Sequence, residues 1–374
     1  LPKPLGDPHP ARFTPFDGGG IPVAALQPVF IRVEEFRTGL VSLISRPMPD
    51  VQLTVSVALC TCNGEKFLRQ QLDSIANQSR PVDEIVICDD CSDDTTAEIV
   101  LGFAADARVT VKWFRNPVRL GVTKNFEKAI SLCSGKFIFL CDQDDIWMPD
   151  KTAVLLSALE NSAAALVFSN AQVVDEKQIP LGYRLWDSIW FTAGEQHHMK
   201  AGEALAVLLK HAIAAGSTLA FRAEYLPLIL PIPDLPNSHD IWITQLLSCV
   251  GRIEPIDRDL IQYRLHGANQ VGMKKFGLRD QIRMARQQID ADTFGYLAKL
   301  NQAVLDRLVS QQTWKADPGD LQLLREKIDH SRLRQLMPIP WLSRLRVIAW
   351  ELKAGRYRKY SYGWKSVLQD LFLR

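Results

Sequence analysis

Between residues 53 and 161, short apolar runs alternate with segments whose apolar positions recur at helical spacing. The runs at 53–60, 84–88, 108–114 and 136–141 read as strands, and the segments at 65–77, 94–104, 122–132 and 150–159 read as helices. In the first helix Phe67, Leu68, Leu72 and Ile75 form the inward face. Such alternation implies an α/β fold, a mostly parallel sheet flanked by helices. After residue 163 the pattern loosens. Residues 165–169 and 217–222 read as strands, 241–249 as a helix, and 252–254 and 260–264 as two further strands. Beyond about residue 274 strand signals stop and helices dominate. The chain therefore divides into a poorly ordered Pro/Gly-rich segment at 1–50, with one short element at 29–45, an α/β domain at 51–273 and a helical C-terminal extension at 274–374.

Composition narrows the class without naming a function. A chain of 374 residues with 47% hydrophobic and 23% charged positions has ample core for a soluble globular protein. A net charge of +2 gives no global attraction to nucleic acid, so no nucleic-acid partner is expected. The cysteines Cys60, Cys62, Cys88, Cys91, Cys133, Cys141 and Cys249 sit mostly in apolar runs. Buried free thiols in a reducing compartment explain them better than a zinc site built from Cys60, Cys62, Cys88 and Cys91, because no knuckle-like turn glycines flank the pairs. The longest apolar stretch, at 204–221, is broken by Lys210 and His211 and is not expected to span a bilayer. No signal-peptide pattern is expected at the N-terminus.

The polar clusters fall where strands end. Asp142-Gln143-Asp144-Asp145 follows the run 136–141 and puts three carboxylates at a strand tip, which is costly unless a cation neutralises them. Hard oxygen ligands favour Mg²⁺ or Mn²⁺ and a diphosphate; a solvated acidic turn is the plain alternative. Thr61-Cys62-Asn63-Gly64-Glu65 suits nucleotide contacts at a helix start, or ordinary capping by Asn63. Asp90 sits at a strand tip where it could accept from a base or ribose, whereas Asp93 or Asp94 caps the next helix. Trp147 is either a core aromatic or a platform for a sugar face. Asp240, between His239 and Ile241 and close to Trp242, could be a general base or a simple helix cap. His266 could ligate a metal opposite Asp144, or His266 and Arg264 could hold phosphate. Ligands of open α/β sheets bind beyond the C-terminal strand ends, so these residues are expected at one edge.

Taken together, the clusters resemble family 2 glycosyltransferases of the GT-A fold. Residues 55–65 with Phe67, Leu68 and 71–75, the run Cys88-Asp89-Asp90-Cys91-Ser92-Asp93-Asp94-Thr95, and 142–151 in the form found in bacterial rhamnosyltransferases carry the likeness. So do His239-Asp240 with Trp242, and Tyr263, Arg264, His266, Gly267, Asn269, Val271 and Gly272. The resemblance covers roughly residues 53–272. It implies a nucleotide-sugar pocket lined by Thr61, Asn63, Glu65 and Asp90, with Lys124 or Asn125 facing the donor. It also implies Asp142 on the ribose or a metal-bound water, Asp144 and His266 as metal ligands, and Asp240 as catalytic base. Trp147, His239 and Trp242 would meet the acceptor. Many relatives carry Glu-Asp where this chain has His239-Asp240, which leaves the role of His239 open.

The implied activity is inverting, metal-dependent transfer of L-rhamnose from dTDP-L-rhamnose to a glycan or lipid-linked saccharide in O-antigen-like polysaccharide synthesis. A UDP-hexose or UDP-N-acetylhexosamine donor is the alternative. A sugar nucleotidyltransferase would be expected to carry a basic glycine-rich loop where residues 61–65 stand. A non-catalytic carbohydrate-binding module would have no use for both Asp144 and Asp240. Residues 331–374 interleave aromatics with many Arg and Lys against only Glu351 and Asp370, which suits the surface of an anionic membrane. The expected location is cytoplasmic, peripheral at the inner face of a bacterial plasma membrane; a helical cap with a solvated basic face is the alternative.

Overall fold

The computed structural model describes residues 54–236, 238–267, 283, 286–287, 289, 292–338 and 340–373. The expectations for residues 1–50, and the motif residues after 267, lie outside the described residues.

The first half of the sheet follows the apolar rhythm closely. Strands β1 (Val55–Thr61), β2 (Glu84–Asp89), β3 (Thr110–Arg115) and β4 (Phe137–Cys141) run parallel in the order β3-β2-β1-β4. Helices α1 (Leu68–Ala76), α2 (Thr96–Asp106) and α3 (Val122–Ser131) make the crossovers. Val55, Val57, Ala58 and Leu59 are all fully buried, as a central strand covered on both faces requires. Helix α1 buries Leu68, Gln71, Leu72 and Ile75, and α3 buries Phe126, Ala129 and Ile130 among others, each set at helical spacing. Register aligns the strand tips, with Thr61 beside Asp89 and Leu59 beside Cys141.

The second half mixes directions. In chain order come β5 (Ile146–Trp147), α4 (Lys151–Asn161), β6 (Ala164–Val174), β7 (Pro180–Arg184) and the short helices α5 (Leu185–Ser188), α6 (Ala193–Lys200) and α7 (Ala204–Leu208). Then follow β8 (Leu219–Arg222), α8 (Leu226–Ile229), α9 (His239–Val250) and β9 (Arg252–Arg264). The sheet continues β4-β8-β6-β9-β5, with β7 on β6; only β6 and β9 are parallel here. The two short strands expected at 252–254 and 260–264 are one strand. Its polar middle reads as a turn in sequence, yet Asp257 and Asp259 pair with Arg184 at 2.8 and 2.7 Å, and register shifts near Asn170 accommodate the irregularity.

Two cores flank the sheet. One holds Leu72, Ile85, Phe139, Leu155 and Trp147; the other holds Phe126, Phe168, Trp186, Trp242 and Leu246. Each such side chain contributes about 1.5–3 kcal/mol by leaving water. Helices α10 (Thr293–Ser310) and α11 (Pro318–Gln335) add Leu300, Val304, Leu308, Leu324 and Ile328 to the second core. Helices α12 (Trp341–Lys353), α13 (Arg356–Tyr360) and α14 (Trp364–Phe372) gather around Ile348, Tyr357 and Val367. Among the described residues no helix is long and apolar enough to cross a membrane.

Candidate active site

The parallel strands deliver their polar ends to one edge, and the loops that follow lace together there. Thr61 Oγ1 donates to Asp89 Oδ1 at 2.8 Å. The backbone N–H groups of Asn63, Gly64 and Glu65 donate to Ser92, Thr96 and Asp94. Asn63 adopts a left-handed φ of 52° and accepts from the Asp93 N–H, and Glu65 accepts from the Thr95 hydroxyl. Thr61, Asn63 and Glu65 thus shape the cleft by fixing two loops to each other. Asn63 does not cap α1, whose N-cap is Phe67. Asp94 does serve the start of α2, accepting from the Thr96 N–H at 3.0 Å.

Several residues expected at the donor hold neighbouring segments together. Asp90 is buried and accepts from Asn116 Nδ2 and from the Leu120 and Gly121 N–H groups, so it pins the loop before α3. Asn125 is an internal strut: it donates to the Cys88 carbonyl and accepts from Asn116, because its place on α3 turns it toward the sheet. Lys124 donates to Glu127 and to the Ile232 carbonyl. Arg264 ties three segments together. Buried at the end of β9, its guanidinium donates to the Asp144 and Glu176 carbonyls and to Gln70 Oε1, and it stacks over Phe67 at 4.5 Å.

The acid cluster lies at the centre. His266 Nε2 meets Asp144 Oδ2 at 2.8 Å, with the imidazole against the Phe67 ring. Burial, then the charges of Asp144, Asp145 and Asp240, push the Asp142 carboxyl well above the usual range. The effect of its charge on Asp142 places Asp240, in the first turn of α9, in the same electrostatic neighbourhood. Asp145 accepts from the Arg264 N–H at 3.0 Å, and burial followed by the Asp144 charge raises it to about 7. Lys151 lies fully buried behind the cluster, its ammonium donating to the Ser217 carbonyl and resting 3.7 Å from the Trp147 ring centre; burial lowers it to about 7.

Sequence reasoning passed over two residues. Gln143, between the aspartates, accepts from the Cys62 N–H at 2.8 Å and donates to the Cys62 carbonyl at 3.0 Å, joining the acid turn to the first loop. Lys151 was hidden by its ordinary place at a helix start. Only the Asp-x-Asp spacing hinted that the middle side chain must point away from its neighbours.

The three expected acceptor contacts are interior residues. Trp147 and Trp242 are 2% and 1% exposed, and Trp242 Nε1 donates to the Ile229 carbonyl. His239 stacks on Phe126 at 4.2 Å, close against Gly216, and burial holds its imidazole neutral. Aromatics beside a sheet serve the core first, since their area outweighs any single polar contact.

A cation fits the donor set. Among the described residues no three His, Cys, Asp or Glu side chains converge as a complete metal cage. Asp144 and His266 would supply two ligands beside Asp142, leaving positions for diphosphate oxygens and water, which is how Mg²⁺ and Mn²⁺ are usually held.

Comparison with known proteins decides the family. The description "Glycosyl transferase family 2" matches residues 56–226. The chain carries a family 2 glycosyltransferase domain. An uncharacterized glycosyltransferase of Nostoc sp. is 24% identical over 82% of this chain and 92% of its own length. The Escherichia coli UDP-Glc:alpha-D-GlcNAc-diphosphoundecaprenol beta-1,3-glucosyltransferase WfgD is 28% identical over 33% of this chain, and the match spans only 48% of WfgD. The S. aureus TarS structure in complex with UDP-GlcNAc superposes with a TM-score of 0.52 at 14% identity, over 75% of this chain and 73% of that one. The glycosyltransferase thus has the GT-A fold expected of it.

Proposed function

We propose that this glycosyltransferase moves a sugar from a nucleoside diphosphate to a hydroxyl of a saccharide, with inversion, in the assembly of a cell-surface polysaccharide at the inner face of a bacterial membrane. The observation that carries the reading is the closure of His266 on Asp144 beside Asp142 and Asp240 at the C-terminal edge of the sheet. Asp240, within electrostatic reach of Asp142, takes the proton of the acceptor hydroxyl. The hydroxyl oxygen then forms its bond to the anomeric carbon as the bond to the diphosphate breaks on the opposite face. General-base assistance of this kind is worth about 10²–10⁴-fold. Asp144 and His266 would hold Mg²⁺ or Mn²⁺, which supplies charge neutralisation for the departing diphosphate. Asp142 orients the ribose, while the loops laced by Thr61, Asn63, Glu65, Asp90 and Gln143 hold the nucleotide cleft in shape. Residues 51–273 form the catalytic unit and 274–374 its helical extension.

The donor proposed first is dTDP-L-rhamnose, supported by the form of residues 142–151. UDP-glucose is the second reading, supported by the likeness to WfgD. Release of nucleoside diphosphate from a panel of dTDP- and UDP-sugars, with Mn²⁺ and saccharide acceptors, tests both. Turnover of UDP-glucose alone would displace the rhamnose reading, and turnover of no sugar nucleotide would remove the proposal.

A further inference from the structure

The last helices bury charged and polar side chains and leave large apolar ones in water. Helix α12 turns Arg344, Ile348 and Glu351 inward, and α14 turns Ser366, Val367, Gln369 and Asp370 inward. The buried charges are compensated. Arg334 donates to Asp370 at 2.7 Å, the Tyr357 hydroxyl donates to the same carboxylate at 2.8 Å, and Arg356 donates to Glu351 at 2.9 Å.

Exposed apolar residues line both helices. Trp341, Leu345 and Leu352 recur at helical spacing along α12 and are 59%, 41% and 37% exposed. Trp364, Leu368 and Phe372 do the same on α14, at 71%, 53% and 70%. Positions four and seven apart share a helix face, so the α12 row runs along the flank of the buried Ile348 while the α14 row faces away from the buried side, and α12 packs on α14, so the rows belong to neighbouring helices. Exposed apolar rows on packed neighbouring helices are the surface a docking site offers.

Charge selects the occupant. Among the described residues from 341 to 373 the acids Glu351 and Asp370 are fully buried, whereas Arg346, Lys353, Arg358, Lys359 and Lys365 are exposed. We propose that this surface docks on an anionic lipid bilayer. Its tryptophan, leucine and phenylalanine side chains enter the boundary between headgroups and acyl chains, and the flanking cations meet headgroup phosphates. A second copy of the chain fits less well, because a two-fold contact would set cations against cations. A nucleic acid would use the cations but leave the apolar stripes in water.

The test is flotation of the full chain with phosphatidylcholine vesicles, with and without phosphatidylglycerol. The wild type is expected to float with the anionic vesicles and to stay behind with phosphatidylcholine alone. Paired Trp364→Ser and Leu368→Ser substitutions, and separately Arg346→Gln with Lys353→Gln, each reduce partitioning by about tenfold or more. These are exposed positions, and circular dichroism checks that both variants fold. Failure to float, equal flotation with both vesicle types, or binding untouched by either variant overturns the proposal. So does a concentration-dependent dimer that Trp364→Ser dissolves. The inference does not use the sheet-edge site. Sugar-nucleotide turnover, read in the same samples without vesicles, keeps failure of that site a separate result.

Discussion

His266 Nε2 and Asp144 Oδ2 lie 2.8 Å apart although 122 residues separate them in the chain. The contact exists because β9 returns past the acid turn, where Asp145 accepts the Arg264 N–H and the Asp144 carbonyl accepts from the Arg264 guanidinium. If the pair holds the cation, His266→Ala and Asp144→Asn should each weaken Mn²⁺ by at least the roughly 10–100-fold seen when a partner of a metal ligand is lost. A Mn²⁺ titration followed by thermal shift measures this. Wild-type affinity in both variants would reduce the contact to a plain ion pair.

Asp240 sits in the first turn of α9 with its Oδ1 accepting from the Ile241 N–H, and its charge raises the pKa values of Asp142 and Tyr263. Replacing the base while keeping its shape isolates the proton transfer. Asp240→Asn is expected to lower turnover by about 10²–10⁴-fold while donor affinity stays within a few fold. Single-turnover assays and donor titration separate the two, and unchanged turnover would move the base elsewhere.

The alternating half of the fold was legible because buried strands and one-sided helices leave different apolar periods. Strands β1, β2 and β4 accordingly begin and end within a few residues of expectation. What escaped the sequence were partnerships over long separations. Nothing near Asp257 announces Arg184, and nothing near Asp145 announces the Arg264 N–H. The edge location of the site was legible, since strand tips in a parallel sheet converge. The internal partners of each side chain were not: nothing in sequence announces that Asn125 and Asp90 bond Asn116, or that Asp90 accepts from the loop at Leu120. Trp147 and Trp242 show the same limit, as an indole for the core and one for a sugar have the same letter.

The acid cluster should make stability depend on pH. Asp142 and Asp145 have raised pKa values in the fold, Asp145 to about 7, so the folded protein keeps protons that the unfolded chain releases above the ordinary aspartate value of 3.8. That stabilisation is complete below the unfolded value and is lost as pH rises toward about 7. Lys151, lowered to about 7, acts in the opposite sense above that pH, where the unfolded chain binds the extra proton. Without divalent ions the Tm should therefore fall between about pH 4 and about pH 7. A bound cation replaces the protons, so the rise in Tm on adding Mn²⁺ should be larger near pH 8 than near pH 5. Equal shifts at both pH values would separate the cluster from the metal.

Trp242 offers a direct contrast between an acceptor platform and a core residue. It is 1% exposed, donates to the Ile229 carbonyl at 2.8 Å and lies under the Arg307 guanidinium at 5.2 Å. Trp242→Ala removes a large buried side chain and leaves the Ile229 carbonyl without that donor, which costs about 3–5 kcal/mol. For a domain of this size the Tm should fall by roughly 10 °C. The acceptor KM, measured well below the new Tm, should stay near the wild-type value, because the indole sits among Leu246, Leu300 and Val304 in the core. A variant with wild-type Tm and a raised acceptor KM would restore Trp242 to the sugar site.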